Sequence, residues 1–408
     1  MDCQQTRVRF GHHGTVIRQK WARLLCACLT LPGAAVTAIA ADDGDKPHYR
    51  FYGFVQMDAI YDFNRVDPDW NDMLRPSKIP VNCPGDPGCG EDGETVFSVR
   101  QTRAGVDVAV PTGLGELQAK LEFELVGVGN DAGKTTPRLR HAWGQIGAFG
   151  AGQTWSTFMD PDVFPNTIEY WGPPGMIFFR NMQARWQPIR GDGNTLSIAL
   201  ESPTGAIDSG KVSSVDPGLN IRERTPYPDL SANWRMDRDW GHAQIAGILR
   251  TVGYETTTTA NNKPSGEETG AGINLSGSLK VGARDKLMAQ LAYGEAIASY
   301  FNDGGIDLAP TASLNATTLP ILGWLLFYDH YWNDRWSTSL GWSQADQDNS
   351  SGQNGDAFAK SQYGVINLLY YPTNNIMVGG ELQYAERELN DGRSGDDTRV
   401  QVSFKFSF

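Results

Sequence analysis

The chain has 408 residues and a formal net charge of −12, and its mean hydropathy is negative. An acidic surplus excludes nucleic acid as a partner, because neutralising phosphates needs a basic face. No apolar run after the first forty residues is long enough for a transmembrane helix, which leaves a secreted globular protein or a barrel that crosses with strands.

The chain opens on a pattern of export. Arg18, Lys20 and Arg23 precede an apolar run from Leu24 to Ala40, and Ala38-Ile39-Ala40 has the small-x-small form of a cleavage site. Residues 1–40 are read as a cleaved signal peptide and 41–48 as a short periplasmic segment, with a β-barrel over 49–408. Cleavage removes five basic residues and one acidic one, together with Cys3, Cys26 and Cys28, so the mature chain is more acidic still. Cys83 and Cys89 close a Pro/Gly-rich loop, and in an exported protein such a pair forms a disulfide. That loop has no histidine, and neither a metal nor a cofactor is expected.

From Phe51 onward apolar and polar residues alternate. Phe51, Gly53, Val55, Met57, Ala59 and Tyr61 fall on one face of the first strand, with Tyr52, Phe54, Gln56 and Asp58 on the other. The alternation returns in Leu117 to Leu125 and in Ile273 to Val281. These segments are about ten residues long, the length a tilted strand needs to cross a bilayer. Long polar segments at 64–94, 126–137, 158–176, 202–226, 255–268, 297–318, 345–360 and 386–397 alternate with seven very short turns. The fold expected is therefore all-β: a transmembrane antiparallel up-and-down barrel of about sixteen strands, with long external loops and short periplasmic turns. Aromatic residues at Tyr61-Phe63, Tyr328, Tyr331-Trp332, Tyr370-Tyr371 and Tyr384 fit an interfacial girdle, and Leu and aromatic residues on both faces of 320–332 leave that strand's parity open.

The closing segment is the most diagnostic. Val400, Val402, Phe404, Phe406 and Phe408 alternate with Arg399, Gln401, Ser403, Lys405 and Ser407, and Phe408 is the last residue. A terminal aromatic strand in an exported protein is the form read by the barrel-assembly machinery, so Phe408 is the expected assembly signal in a bacterial outer membrane.

Parity also nominates a lumen. Arg103, Arg138, Arg140, Arg185 and Arg250 fall on polar positions, and arginines along a pore favour anions. The competing reading pairs them with Asp58, Asp107, Glu122 and Glu124 as stiffening of the wall. The third long segment carries Asp160, Asp162, Glu169 and Tyr170. Folded inward, its acids would face the basic wall and set up a transverse field; the alternative is an external cap.

Several stretches together carry a resemblance: Tyr52-Gly-Phe-Val-Gln56, Arg140-His-Ala-Trp143 with Gly152-Gln-Thr-Trp155, Pro228-Asp-Leu with Asp239-Trp-Gly-His242, and Glu386 to Arg393. In this order they resemble the DcaP-like family of trimeric outer-membrane porins. The resemblance implies a sixteen-stranded homotrimeric channel favouring small anionic solutes, dicarboxylates among them. It also implies that constriction arginines fall on Arg103, Arg138, Arg140 and Arg185. Some members carry an amino-terminal coiled coil, whereas here only Ala41 to His48 precede the first strand, without heptads. A channel selective for one substrate through a site in its pore is the nearest alternative. A soluble carbohydrate-binding β protein or a barrel enzyme fits less well, since His141, His242 and His330 lie on separate strands with no nucleophile motif nearby.

Overall fold

The computed structural model describes residues 46–81, 83, 90–216, 218–313 and 315–408. The expected signal peptide and Cys89 lie outside the described residues; Cys83 is disulfide-bonded.

Sixteen antiparallel strands form a closed barrel. They are β1 (His48–Asp62), β2 in two pieces (Glu94–Ser98 and Arg103–Thr112), β3 (Gly115–Val126), β4 (Thr135–Ile146), β5 (Phe149–Trp155) and β6 (Arg180–Gly191). Next come β7 (Asn194–Glu201), β8 in two pieces (Ile221–Arg224 and Asp229–Arg238), β9 (Gly241–Thr256), β10 (Gly266–Val281) and β11 (Asp285–Glu295). The last are β12 (Pro320–Tyr331), β13 (Trp336–Gln347), β14 (Phe358–Thr373), β15 (Ile376–Leu389) and β16 (Ser394–Ser407). Each strand pairs with its neighbours in sequence. Closure comes from β1, which pairs with β2 on one side and with β16 on the other, through Val55 opposite Phe406 and Asp62 opposite Arg399. Gly53 and Phe408 exchange backbone hydrogen bonds of 3.0 and 3.1 Å at the seam, where a Cβ on residue 53 would lie 2.9 Å from the Phe408 ring. With the sheet closed on itself, strand edges are paired with strand edges, as a hydrocarbon surrounding requires.

The alternation decides which face is which. Val55, Met57 and Tyr61 on β1 and Val400, Val402, Phe404 and Phe406 on β16 are exposed on the outside, while Gln56, Asp58, Arg399, Gln401 and Ser403 are buried inside. The outer apolar belt and polar interior are what a hydrocarbon environment selects. Tyr61, Phe63, Tyr331 and Trp332 join the exposed face, but Tyr371 turns inward, where its hydroxyl accepts a 3.1 Å hydrogen bond from Asn166.

One expectation about the connections changes. Strands β15 and β16 run on to Leu389 and from Ser394, so the last connection is a tight turn and not the long loop expected over 386–397. Residues 320–332 are apolar on both faces for a packing reason. Ile321, Leu325 and Phe327 face inward into a core that also holds Phe158, Met159, Val163, Met176, Ile177 and Phe301 from the third and sixth loops. The barrel thus encloses a packed plug of loop on one side and leaves open space on the other.

Candidate functional site: a basic cavity beside the inserted third loop

The third loop, residues 156–179 between β5 and β6, lies inside the barrel. Its backbone is gripped by side chains of the wall: Asn274 donates to Phe158 O at 2.9 Å, Gln244 to Met159 O at 3.0 Å, and Gln290 to Gly175 O at 3.1 Å. At the loop's tip the Glu381 carboxylate accepts from the backbone N–H groups of Ile168 and Glu169 at 2.9 and 3.0 Å, and Gln101 and Gln401 both donate to Ile168 O. A loop carries its own unpaired peptide groups into the lumen, so an inward fold is stable only where the wall supplies partners for them. Close approach also needs missing side chains. A Cβ on Gly175 would meet Gln344 O at 2.0 Å, and one on Gly323 would meet the Phe301 ring at 2.0 Å.

Beside this loop is a cavity of about 670 Å³ lined by Arg103, Arg138, Arg140, Arg180 and Lys405 among other residues. Four carboxylates stand near these five cations: Glu122 and Glu124 beside the arginines, Asp58 on the strand next to Lys405, and Glu169 in the cavity lining. Glu122 accepts from Arg140 Nε and from Tyr52 Oη, each at 2.7 Å. Glu124 is shared more widely: it pairs with Arg140, with Arg103 at 3.4 Å, with Arg138 at 3.7 Å and with Arg180 at 3.6 Å, and it accepts the Tyr170 hydroxyl. Two guanidinium donors, Arg103 Nε and Arg180 Nη1, are buried with no hydrogen-bond partner among the described residues. Lys405 stands over the Phe54 ring, 4.0 Å from its centroid. Like charges so close are tolerable only beside counter-anions, and the five cations still outnumber the four carboxylates around them.

A register irregularity builds part of the cluster. His141 pairs with Glu122 and Leu139 with Phe123, so Arg140 is the extra residue of a bulge. This lets Arg138, Arg140 and His141 all turn inward. A second irregularity lies at Gly152, whose φ of +122° is open to glycine and strained for other residues. Beyond it Gln153, Trp155 and, across the ladder, Arg180 face the cavity.

The arginines and acids nominated by parity thus divide. Arg103, Arg138 and Arg140 come together. Arg185 does not reach this cavity: it lies over the Trp143 ring and donates to Gln183 Oε1 at 2.9 Å and Trp155 O at 2.5 Å. Arg250 is 2 % exposed, held under the fourth and sixth loops by Ala296 O, Ser299, Asp229 and Asp307, and so braces loops where open pore wall was expected. Arg180 and Lys405 were missed as site residues, Arg180 because plain alternation points it outward.

The third loop's acids do not oppose the arginines across a gap. Asp160 is bound by His242 Nε2 at 2.8 Å, Ser276 Oγ at 2.7 Å and Arg235 at 3.2 Å. Burial pushes its carboxyl up, but the His242 and Ser276 hydrogen bonds and the Arg235 charge outweigh this and hold it below the usual carboxylate range. Asp162 pairs with Arg235 at 2.7 Å. Glu169 turns its carboxylate to the backbone N–H groups of Leu74 and Gly172, at 2.9 and 2.5 Å, and burial raises its pKa. All three tie the loop down. Tyr170 alone reaches the cluster, as a donor to Glu124.

Residues 34–237 match the family model described as DcaP outer membrane protein. Among solved structures, the chain is similar to the outer membrane channel DcaP of Acinetobacter baumannii, at 22% identity and a TM-score of 0.74, over 90% of this chain and 99% of that one. It is also similar to the anion-selective porin from Comamonas acidovorans, at 11% identity and a TM-score of 0.57, over 89% of this chain and 100% of that one. The trimer form of OmpT, an outer membrane protein of Vibrio cholerae, matches at 12% identity and a TM-score of 0.53, over 89% of this chain and 100% of that one. No curated protein matches the sequence.

Proposed function

Starting from the chain's membership of the DcaP outer membrane protein family, we propose that this outer-membrane channel passes small anions in preference to cations, carboxylates among them. The observation that carries the reading is the convergence of Arg103, Arg138, Arg140, Arg180 and Lys405 on one lumen cavity against Glu122 and Glu124. A pore wall with a cationic surplus raises the local concentration of anions and repels cations. Arginines add a reason for carboxylates in particular, because the planar guanidinium fork matches a carboxylate's two oxygens.

The same reading includes an export signal over 1–40, recognition of the β16 strand and Phe408 by the barrel-assembly machinery, a Cys83–Cys89 disulfide and a homotrimer in the outer-membrane lipid. The trimer rests on the family resemblance and has a parallel in the trimer form of OmpT.

Swelling of liposomes containing the purified barrel tests the carboxylate preference. Small carboxylates are expected to enter faster than neutral sugars of similar size. Equal rates would show that the cluster is structural and that solutes pass by size alone.

A further inference from the structure

A second chamber, of about 520 Å³, is walled by Arg75, Lys78, Asp208 and Asp356 from the outer loops and by Arg387 of β15. The two chambers share three lining residues, Ser299, Phe301 and Asn302 of the sixth loop (residues 296–319). These three residues therefore stand between the two chambers. Ser299 is held to the wall by Arg250 at 2.7 Å, and Phe301 is 5 % exposed with its ring packed over Gly323. Next to the Ile177–Phe301 bridge between the third and sixth loops, Asn302 adds side-chain bonds to backbone ones. Its Nδ2 donates to Trp171 O at 2.6 Å and Pro173 O at 3.2 Å, its backbone N–H donates to Met176 O at 2.9 Å, and Trp171 Nε1 donates to Asn302 O at 2.9 Å.

The next residue extends the clasp to the first loop. Asp303 accepts from Arg75 Nε at 2.9 Å and Nη2 at 2.7 Å, and from the Ser77 backbone and hydroxyl at 2.7 and 2.8 Å. The Arg75 guanidinium lies between the Trp70 and Trp171 rings, 4.2 and 4.1 Å from their centroids. Three loops that enter the lumen from different parts of the chain are therefore fastened at Asn302 and Asp303.

We propose that the sixth loop, through Asn302, is the size filter of this channel, separate from the arginine cluster that filters charge. Resting on the channel reading above, the assignment divides selectivity between two places. Passage between chambers is set by how closely the sixth loop is fastened to the third. The sign of the preferred ion is set elsewhere, at a cluster that Asn302 does not contact.

The test compares wild type with Asn302→Ala and Asn302→Leu, the second keeping bulk while losing the amide. Single-channel conductance, liposome swelling with neutral sugars of increasing size and salt-gradient reversal potential are measured on heat-modifiable, folded barrels. Both variants are expected to conduct more, by about 1.5-fold or above, and to admit larger sugars, with the reversal potential unchanged. Asp303→Asn, which loosens the first loop, is expected to move conductance the same way and serves if either Asn302 variant fails to fold. Unchanged conductance and sugar cutoff in folded variants would overturn the assignment. A reversal potential that moved together with size would also overturn it, by showing one filter instead of two. Cation preference in wild type with a widened cutoff in the variants would remove the charge reading and leave the size filter standing.

Discussion

Arg180 Nη2 lies 3.6 Å from Glu124 Oε1, while the other terminal nitrogen of the same guanidinium, Nη1, is buried with no hydrogen-bond partner among the described residues. The guanidinium is thus only partly paired by the wall. Arg180→Gln removes one unit of positive charge and leaves Arg103, Arg138 and Arg140 in place. Its expected effect is a smaller anion-to-cation permeability ratio, by about threefold, and weaker current block by added carboxylate. Single-channel recording checks both.

Glu124 is the common counter-ion of Arg103, Arg138, Arg140 and Arg180. Glu124→Gln leaves four guanidinium groups close together with Glu122 as their remaining neighbour. Removing one partner of a buried ionic network costs about 3–5 kcal/mol. The variant is expected to unfold at a lower temperature in a heat-modifiability gel, and folded channels are expected to be more anion-selective than wild type.

The tip of the third loop depends on one carboxylate. Glu381 accepts from the Ile168 and Glu169 backbone N–H groups and from Asn367 and Gln383 side chains at 2.9–3.0 Å. Glu381→Ala strands two buried backbone donors, each costing about 1–3 kcal/mol. The loop is then expected to move, giving a noisier open-channel current and faster proteolysis within 156–179. A quiet trace in the variant would contradict this anchoring.

The other anchor has a defined pH dependence. The Asp160 carboxyl is held below its usual value of 3.8 by His242, Ser276 and Arg235, although burial alone would raise it. Since the folded value is depressed, the stabilisation is complete above about pH 4 and is lost as pH falls through the folded value. The stability difference between wild type and Asp160→Asn is therefore expected to shrink as pH falls below about 4. Denaturation of both proteins across this range measures it.

The wall of the barrel was legible because the requirement behind it has period two. Lipid outside and water inside force Val400 to Phe408 and Arg399 to Ser407 onto opposite faces, and the sequence records it residue by residue. The longer reach of β15 and β16 left no such mark, since strands standing clear of lipid lose the apolar half of the pattern. Within the site, Arg103, Arg138 and Arg140 followed from parity. Arg180 did not, because Gly152 with its φ of +122° resets the alternation just before the strand pair enters the third loop; that glycine was the one visible sign. Lys405 was placed inward but not joined to the arginines, since they lie over 220 residues away in sequence and meet it only through closure of β1 on β16. The inward fold of the third loop rests on contacts from Gln244, Asn274, Gln290, Glu381 and Gln401 on five different strands, and no local pattern encodes them. Yet the double-sided apolar character of 320–332 did reflect it, because Ile321, Leu325 and Phe327 are the wall against which that loop packs.

The central claim is that the cationic surplus around Glu122 and Glu124 sets the sign of the ions that pass. The most direct measurement is the reversal potential of single channels in a planar bilayer under a potassium chloride gradient, made on wild type and on Arg180→Gln. The predicted result is a wild-type potential with the sign of chloride preference that moves towards zero in the variant. A potential with the sign of potassium preference in wild type, or one unmoved by the substitution, would contradict the account.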